Sequence, residues 1–209
     1  MVNANAYHFF TDWRVKARAE EISEVLGDAT ELPRWWPAVY LDVQRVKAGD
    51  ENRIGEEISL YTKGFLPYTL RWSFIVTEVI PHKRIKLESR GDFVGYGIWT
   101  FEQDGEYTNV RYEWNIEAQK PLLKTLSPIL KPIFEANHKW AMQTGLTSLE
   151  LELQRRRATS DEERAQIAAP PAPTSSSPMP YVVGMVGGLL LLRRVLKVLF
   201  PSRRKRRRR

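Results

Sequence analysis

The 209-residue chain has no cysteine. That excludes disulfides, thiolate catalysis and cysteine-ligated metal sites, and it fits a reducing compartment. Histidine is scarce, at three residues. No set of His, Asp and Glu shows metal-ligand spacing, so no metal is expected. There is no glycine-rich phosphate loop and no nucleophile motif, and no cofactor is expected. The first eight residues lack a basic stretch followed by an apolar core, so no signal peptide is expected. A long hydrophobic run is missing as well. Residues 181–192 are apolar throughout, but a helix of that length reaches only about 18 Å against a hydrocarbon core of about 30 Å.

Acidic residues are absent from the last stretch of the chain. Residues 193–209 carry ten of the 32 Lys and Arg and no Asp or Glu, so residues 1–192 hold 22 basic against 25 acidic side chains. The formal charge of +7 belongs to the tail. A nucleic-acid-binding body should carry its positive charge on the folded surface, and this body does not. Non-specific attraction of the tail to polyanions is the lesser alternative.

What is present divides in four. Residues 1–157 carry periodic apolar patterns and are rich in aromatics. Residues 158–180 are rich in Pro, Ala and Ser and read as a disordered linker. Residues 181–200 read as an apolar, amphipathic membrane-associating helix, followed by a polybasic end at 201–209. Within the body, a strand is expected over 7–15 and a helix over 19–26, stopped at Gly27. A second short helix over 28–37 is closed by Pro37. Six strands follow, over 39–47, 53–62, 68–80, 84–90, 94–103 and 108–118. They are separated by turn signals, as in an antiparallel meander. After Pro121 the apolar period becomes helical. Pro128 and Pro132 should kink or interrupt the first turns, leaving a continuous helix over 133–157. A long sheet with one apolar face needs a cover, and only this last helix is long enough to provide it.

That order resembles the helix-grip fold of the START-like superfamily. Three local patterns carry the likeness: Leu32-Pro33-Arg34-Trp35-Trp36-Pro37, Gly97-Ile98-Trp99-Thr100-Phe101-Glu102, and the run from Asn137 to Gly145. They are similar to the bacterial polyketide cyclase/dehydrase-like branch. The resemblance covers about residues 5–157. It implies an α+β fold, a curved antiparallel sheet of about seven strands wrapped around a long C-terminal helix. It also implies a cavity for a hydrophobic small molecule between sheet and helix. Fold alone does not decide whether chemistry occurs there.

Strand alternation supplies the candidate lining. Ile54, Ile58 and Leu60 share the inward parity of their strand. Tyr68, Leu70, Trp72, Phe74 and Val76 do so on the next. Trp99 and Phe101 share a face with Gly95, and Tyr112, Trp114 and Ile116 line the last strand. The ligand-binding candidates are Ile58, Leu60, Leu70, Trp72, Phe74, Trp99, Phe101, Tyr112 and Trp114, with Asn137 and His138 from the helix. For any one aromatic, core packing is the simpler role. Gly95 and Gly97 allow a bulge or close approach.

The catalytic candidates are His138 and Glu56. His138 could bond a ligand carbonyl or carry a proton. The simpler reading is a histidine that fixes the helix, because the sequence shows no partnered base or nucleophile. Glu56 falls between Ile54 and Ile58, where burial would raise its pKa. The alternative is a carboxylate paired with Arg53 or Arg71. The leading function is a membrane-tethered binding module for a lipid or polyketide-like molecule. The alternative is a cyclase or dehydratase.

For the tail, extension to Phe200 gives 20 residues between Pro180 and Pro201, which is long enough to span. Arg193, Arg194 and Lys197 would each cost roughly 2.5–3.5 kcal/mol at the bilayer centre. They cluster on one helical arc, with Leu189, Leu192, Leu196, Leu199 and Phe200 supplying the membrane-facing apolar residues. The expectation is an in-plane segment on anionic lipid with the body on the cytoplasmic side. A single span is the alternative.

Overall fold

The structure is a computed structural model describing residues 5–119 and 121–174, with 121–130 described by backbone alone. The expected membrane residues Leu189, Leu192, Arg193, Arg194, Leu196, Lys197, Leu199 and Phe200 lie outside the described residues. Seven strands form one antiparallel sheet: β1 Ala6–Val15, β2 Tyr40–Lys47, β3 Glu57–Lys63, β4 Thr69–Ile80, β5 Arg84–Gly91, β6 Phe93–Asp104 and β7 Tyr107–Ala118. Their order is β1-β7-β6-β5-β4-β3-β2. Six strands run as a meander, and β1 closes the β7 side by a pairing that spans most of the body, Tyr7 opposite Ile116 and Val15 opposite Thr108. Helices α1 (Ala19–Gly27) and α2 (Leu32–Trp35) sit between β1 and β2, joined by one 3₁₀ turn. The long helix α3, Pro121–Arg157, covers the sheet. This is the helix-grip arrangement that the sequence implies.

Alternation sets which face is buried. In β7 the even residues Val110, Tyr112, Trp114 and Ile116 are buried, and Arg111 and Glu113 between them are not. In β4 the inward set is Leu70, Phe74 and Val76, with Trp72 partly buried against it. On the other face Arg71 lies over the Tyr61 ring at 4.1 Å. Helix α3 contributes Met142, Leu149 and Leu153, each 6% exposed or less. Burial of such a side chain contributes about 1.5–3 kcal/mol. Trp36 packs against α3 where Gly145 stands, and a Cβ there would lie 2.2 Å from the indole. The indole NH donates to Thr144 Oγ1 at 3.4 Å.

A charged clamp fixes the far end of α3. Glu152 is 2% exposed. It accepts two bonds from the Arg34 guanidinium, at 2.8 and 2.7 Å, and one from Arg156 at 2.9 Å. Burial alone would raise its pKa, but the guanidinium bonds outweigh burial and hold it below the ordinary carboxylate range. Arg157 reaches Glu21 of α1 at 2.7 Å.

Three expectations are corrected. The strand expected over 53–62 begins at Glu57. Asp50 accepts backbone bonds from Asn52 and Ile54, and Arg53 and Gly55 take positive φ of 68° and 83°. This turn leaves Ile54 40% exposed, not inward. Pro128 and Pro132 do not interrupt the helix, which runs unbroken from Pro121. Pro121 itself suits a first helical position. Finally, the segment expected to be a disordered linker contains a helix, α4 Asp161–Gln166. Ser160 caps it by accepting from the Glu163 N–H at 3.1 Å, and Glu163 reaches back to the Thr159 N–H at 2.8 Å.

Candidate functional site

Two cavities lie between the sheet and its cover. The first, about 130 Å³, sits where β1, β4 and β6 begin and β3 and β7 end, against the α3 stretch from Phe134 to Met142. The second, about 280 Å³, lies toward α1 and the β4–β5 turn. Trp36, Tyr40, Trp72 and Tyr112 line both and form the partition between them. Ligand pockets for small molecules usually run to about 300–1,000 Å³. Neither compartment alone reaches that range, so an elongated ligand would need to displace part of this aromatic wall.

The wall is built from strand register. Tyr112 is opposite Trp99, and the two rings stack at 4.0 Å. Trp114 is opposite Gly97, where a Cβ would lie 2.8 Å from the indole and 2.7 Å from the Tyr112 hydroxyl. The glycine therefore makes room for both rings. Trp72 donates its indole NH to Thr62 Oγ1 at 3.1 Å, so this wall tryptophan is satisfied without a ligand. Burial pushes the Tyr40, Tyr68 and Tyr112 phenols well above the ordinary range. They stay protonated and can donate hydrogen bonds to a bound carbonyl or hydroxyl.

His138 lines the first cavity, its ring stacked on Phe9 at 4.1 Å. Desolvation pulls its pKa down to about 4. Near neutral pH the imidazole is uncharged. Among the described residues it has no hydrogen-bonding partner. It can therefore accept or donate one bond to a ligand, but it is a weak base. Asn137 also lines the cavity, with its carbonyl committed: it accepts from the Phe65 and Leu66 N–H groups at 2.9 and 3.3 Å. This ties the β3–β4 connection to α3.

Of the other candidates, Leu70, Trp72, Tyr112 and Trp114 line the first cavity, and Trp72, Phe74, Trp99 and Tyr112 the second. Ile58, Leu60 and Phe101 are buried on the same face but line neither, and pack as core. Glu56 also lies outside both linings. It is buried between Arg45 and Arg53, at 2.7 and 2.6 Å. That is the ion-paired alternative with Arg53, and it leaves His138 without a carboxylate partner. His82 occupies a positive-φ turn and bonds Ser23 Oγ at 3.0 Å, on the second compartment. His8 is exposed beside Glu113.

Several lining residues were not among the candidates. Tyr7 and Phe9 lie on the same parity of β1 as buried Trp13 and Val15, so alternation in that strand was the available signal. Phe134, Ala141 and Met142 sit on the inward face of α3, one helical spacing from Asn137 and His138. Lys63 carried no signal. Among the described residues it is the only Lys, Arg, Asp or Glu lining the first cavity, and it is 7% exposed. Among the described residues, no group of three or more His, Asp and Glu could hold a metal. No described helix is long and apolar enough to cross a membrane.

The arrangement can be compared with known proteins. The protein TTHA0849 from Thermus thermophilus aligns with a TM-score of 0.62 and 19% identity, over 73% of this chain and 100% of that one. The Zhui aromatase/cyclase from Streptomyces sp. R1128 aligns with a TM-score of 0.61 and 17% identity, over 75% and 98%. A START superfamily protein from Mycobacterium smegmatis gives 0.51 and 14%, over 68% and 98%. At these identities the likeness is one of fold. No curated protein matches the chain. The sequence pattern described as polyketide cyclase / dehydrase and lipid transport matches residues 9–154, a stretch that takes in all seven strands from Phe9 and most of α3. An aromatic cavity under a gripped helix, in a chain matched over that length, makes this protein a member of the polyketide cyclase / dehydrase and lipid transport family.

Proposed function

We propose that the protein is a binding module for a hydrophobic small molecule, held at a membrane by its C-terminal tail. The observation that carries the binding reading is the lining of the first cavity. Its walls are aromatic and aliphatic, its polar groups include hydroxyls, an amide, a neutral imidazole and Lys63, and among the described residues no carboxylate lines it. Such a space suits a largely apolar ligand oriented by a few hydrogen bonds. The membrane part rests on composition: apolar residues 181–192 next to ten cations and no acid in 193–209. A tether of that kind makes physical sense for a ligand that partitions into lipid.

A cyclase or dehydratase is the second reading. The presence of His138 in the cavity, together with the family's description, favours it. The position of Glu56 between two guanidiniums weighs against the carboxylate–histidine pair that this chemistry would use.

Binding of the neutral fluorescent probe N-phenyl-1-naphthylamine to the full chain tests the first reading. Ala141 lines the cavity from α3, and A141F fills the space. The probe should bind the unaltered chain, and A141F should weaken it roughly ten-fold, about the effect of losing 1.4 kcal/mol, while still melting cooperatively. Absence of probe binding, or unchanged binding in a folded A141F, would remove the cavity from the account.

A further inference from the structure

The Pro-rich segment after α4 does not leave the body at the end of α3. The C-terminus of α3 lies by the end of β1, where Arg157 meets the Lys16 carbonyl and Glu21. From there the chain turns through α4, where Arg164 donates to the Arg155 and Ala158 carbonyls, and Arg155 donates to the Ala168 carbonyl. It then returns to the opposite end of the molecule. Thr174 accepts on its carbonyl from Lys63 Nζ at 2.6 Å, and its hydroxyl donates to the Gly64 carbonyl at 3.2 Å. Lys63 and Gly64 line the first cavity, and Asn137 beside them holds the β3–β4 connection. The lengths agree. Arg155 and Asn137 are separated by about 27 Å of helix. Residues 168–174, with prolines at 170, 171 and 173, reach about 20 Å when extended.

The segment is therefore a strap, and its effect is to move the point at which the tail leaves. Tyr181, where the apolar run begins, is seven residues past Thr174, a reach of at most about 25 Å. A tail leaving freely from Arg157 would start at the wrong end, with roughly 80 Å of slack. The rim at Thr174 has matching chemistry. Phe65 and Leu66 are half-buried, Pro67 is exposed, and Phe65 packs edge-on to Trp140 at 6.0 Å. Ile133, one turn before Asn137, is 41% exposed. Exposed Lys131 stands over the Tyr7 ring at 5.6 Å.

We infer that the strap makes this rim the face that meets an anionic lipid bilayer, so that the cavity adjoins the surface from which its ligand comes. This rests on the proposed membrane tether. Apolar rim residues can enter the interface, while Lys131 and the cationic tail face anionic headgroups.

The chain has no cysteine, so single introduced cysteines can be labelled uniquely. An environment-sensitive nitrobenzoxadiazole dye is placed on the full chain at L66C, on the rim, or at E106C, in the β6–β7 turn at the other end. Both are mixed with phosphatidylcholine/phosphatidylglycerol vesicles. The dye at 66 should brighten by roughly two-fold or more on entering the interface, and the dye at 106 should not change. Deleting 160–174, so that the tail follows Thr159 directly, should leave vesicle co-sedimentation intact and abolish the response at 66.

If the protein co-sediments with vesicles while the dye at 66 stays dim, or both dyes brighten equally, the rim is not the bilayer face and only this inference falls. If it does not co-sediment at all, the membrane tether falls too. A dye at 66 that is bright without vesicles and dims when 181–200 is deleted means the tail itself covers the rim. Brightness that rises with protein concentration means a second copy covers it. Either result overturns the inference.

Discussion

At the scale of single residues, burial decides what His138 can do. Its ring is stacked on Phe9 in an apolar wall, and desolvation holds its pKa at about 4, below the ordinary 6.5. Between those values the unfolded chain binds a proton that the folded chain refuses. Stability from this residue is thus fully present above pH 6.5 and is lost as the pH falls toward 4. The loss is on the order of 3 kcal/mol at most. H138F should keep the stacking and flatten the melting temperature across that window. Loss of stability below about pH 4.5 should persist in the variant, because there the unfolded chain protonates Glu152 while the folded chain, which holds it below its ordinary range, resists the proton. A histidine variant with the same pH profile as the unaltered chain would mean the imidazole is not desolvated. The same residue shows how far sequence reaches. Its place on the inward face of α3 was readable from spacing. Its lack of a carboxylate partner was not, because Glu56 is turned away by a local feature. Positive φ at Arg53 and Gly55 ends the strand before Glu57 and delivers Glu56 to Arg45 and Arg53.

At the scale of elements, the sheet was legible because each strand alternates and each turn carries its own residues. The strand-to-strand contacts of the meander are local, so periodicity sufficed. What closes the fold is long-range. The Arg34–Glu152 pair joins α2 to α3 across more than a hundred residues. R34A should leave a buried carboxylate with Arg156 alone. Arg34 is itself about half exposed, so the penalty should fall below the 3–5 kcal/mol of a fully buried pair, at roughly 1–3 kcal/mol. Urea unfolding measures it, and E152Q with R34A should cost less than the two changes summed. Equal, additive losses would show that the pair is not coupled. Helix α4 was legible in principle, since Ser160-Asp161-Glu162-Glu163 is a capping box. The strap beyond it was not. Its composition reads as disorder, and its attachments run from its own Ala168 and Thr174 carbonyls to Arg155 and Lys63 and from the Thr174 hydroxyl to the Gly64 carbonyl, which no sequence pattern encodes.

At the scale of the whole molecule, the proposal joins a largely apolar cavity to a cationic tail. The two forces on the tail respond differently to salt. Attraction of Lys and Arg to anionic lipid contributes about 1 kcal/mol per cation near the surface and is screened, whereas apolar insertion is not. Co-sedimentation with anionic vesicles should weaken as salt rises and survive in part. Removing 203–209 should weaken it without abolishing it, and charges placed at Leu192 and Leu196 should abolish the salt-resistant part. Complete loss at high salt would mean that nothing is inserted. Failure of carbonate to release the protein would favour a true span. The central claim is the cavity, and the most direct test is mass spectrometry of an organic extract of purified full chain beside A141F. A hydrophobic small molecule should co-purify with the unaltered chain and be depleted in the folded variant. An extract empty in both, or a molecule retained equally by both, would contradict it.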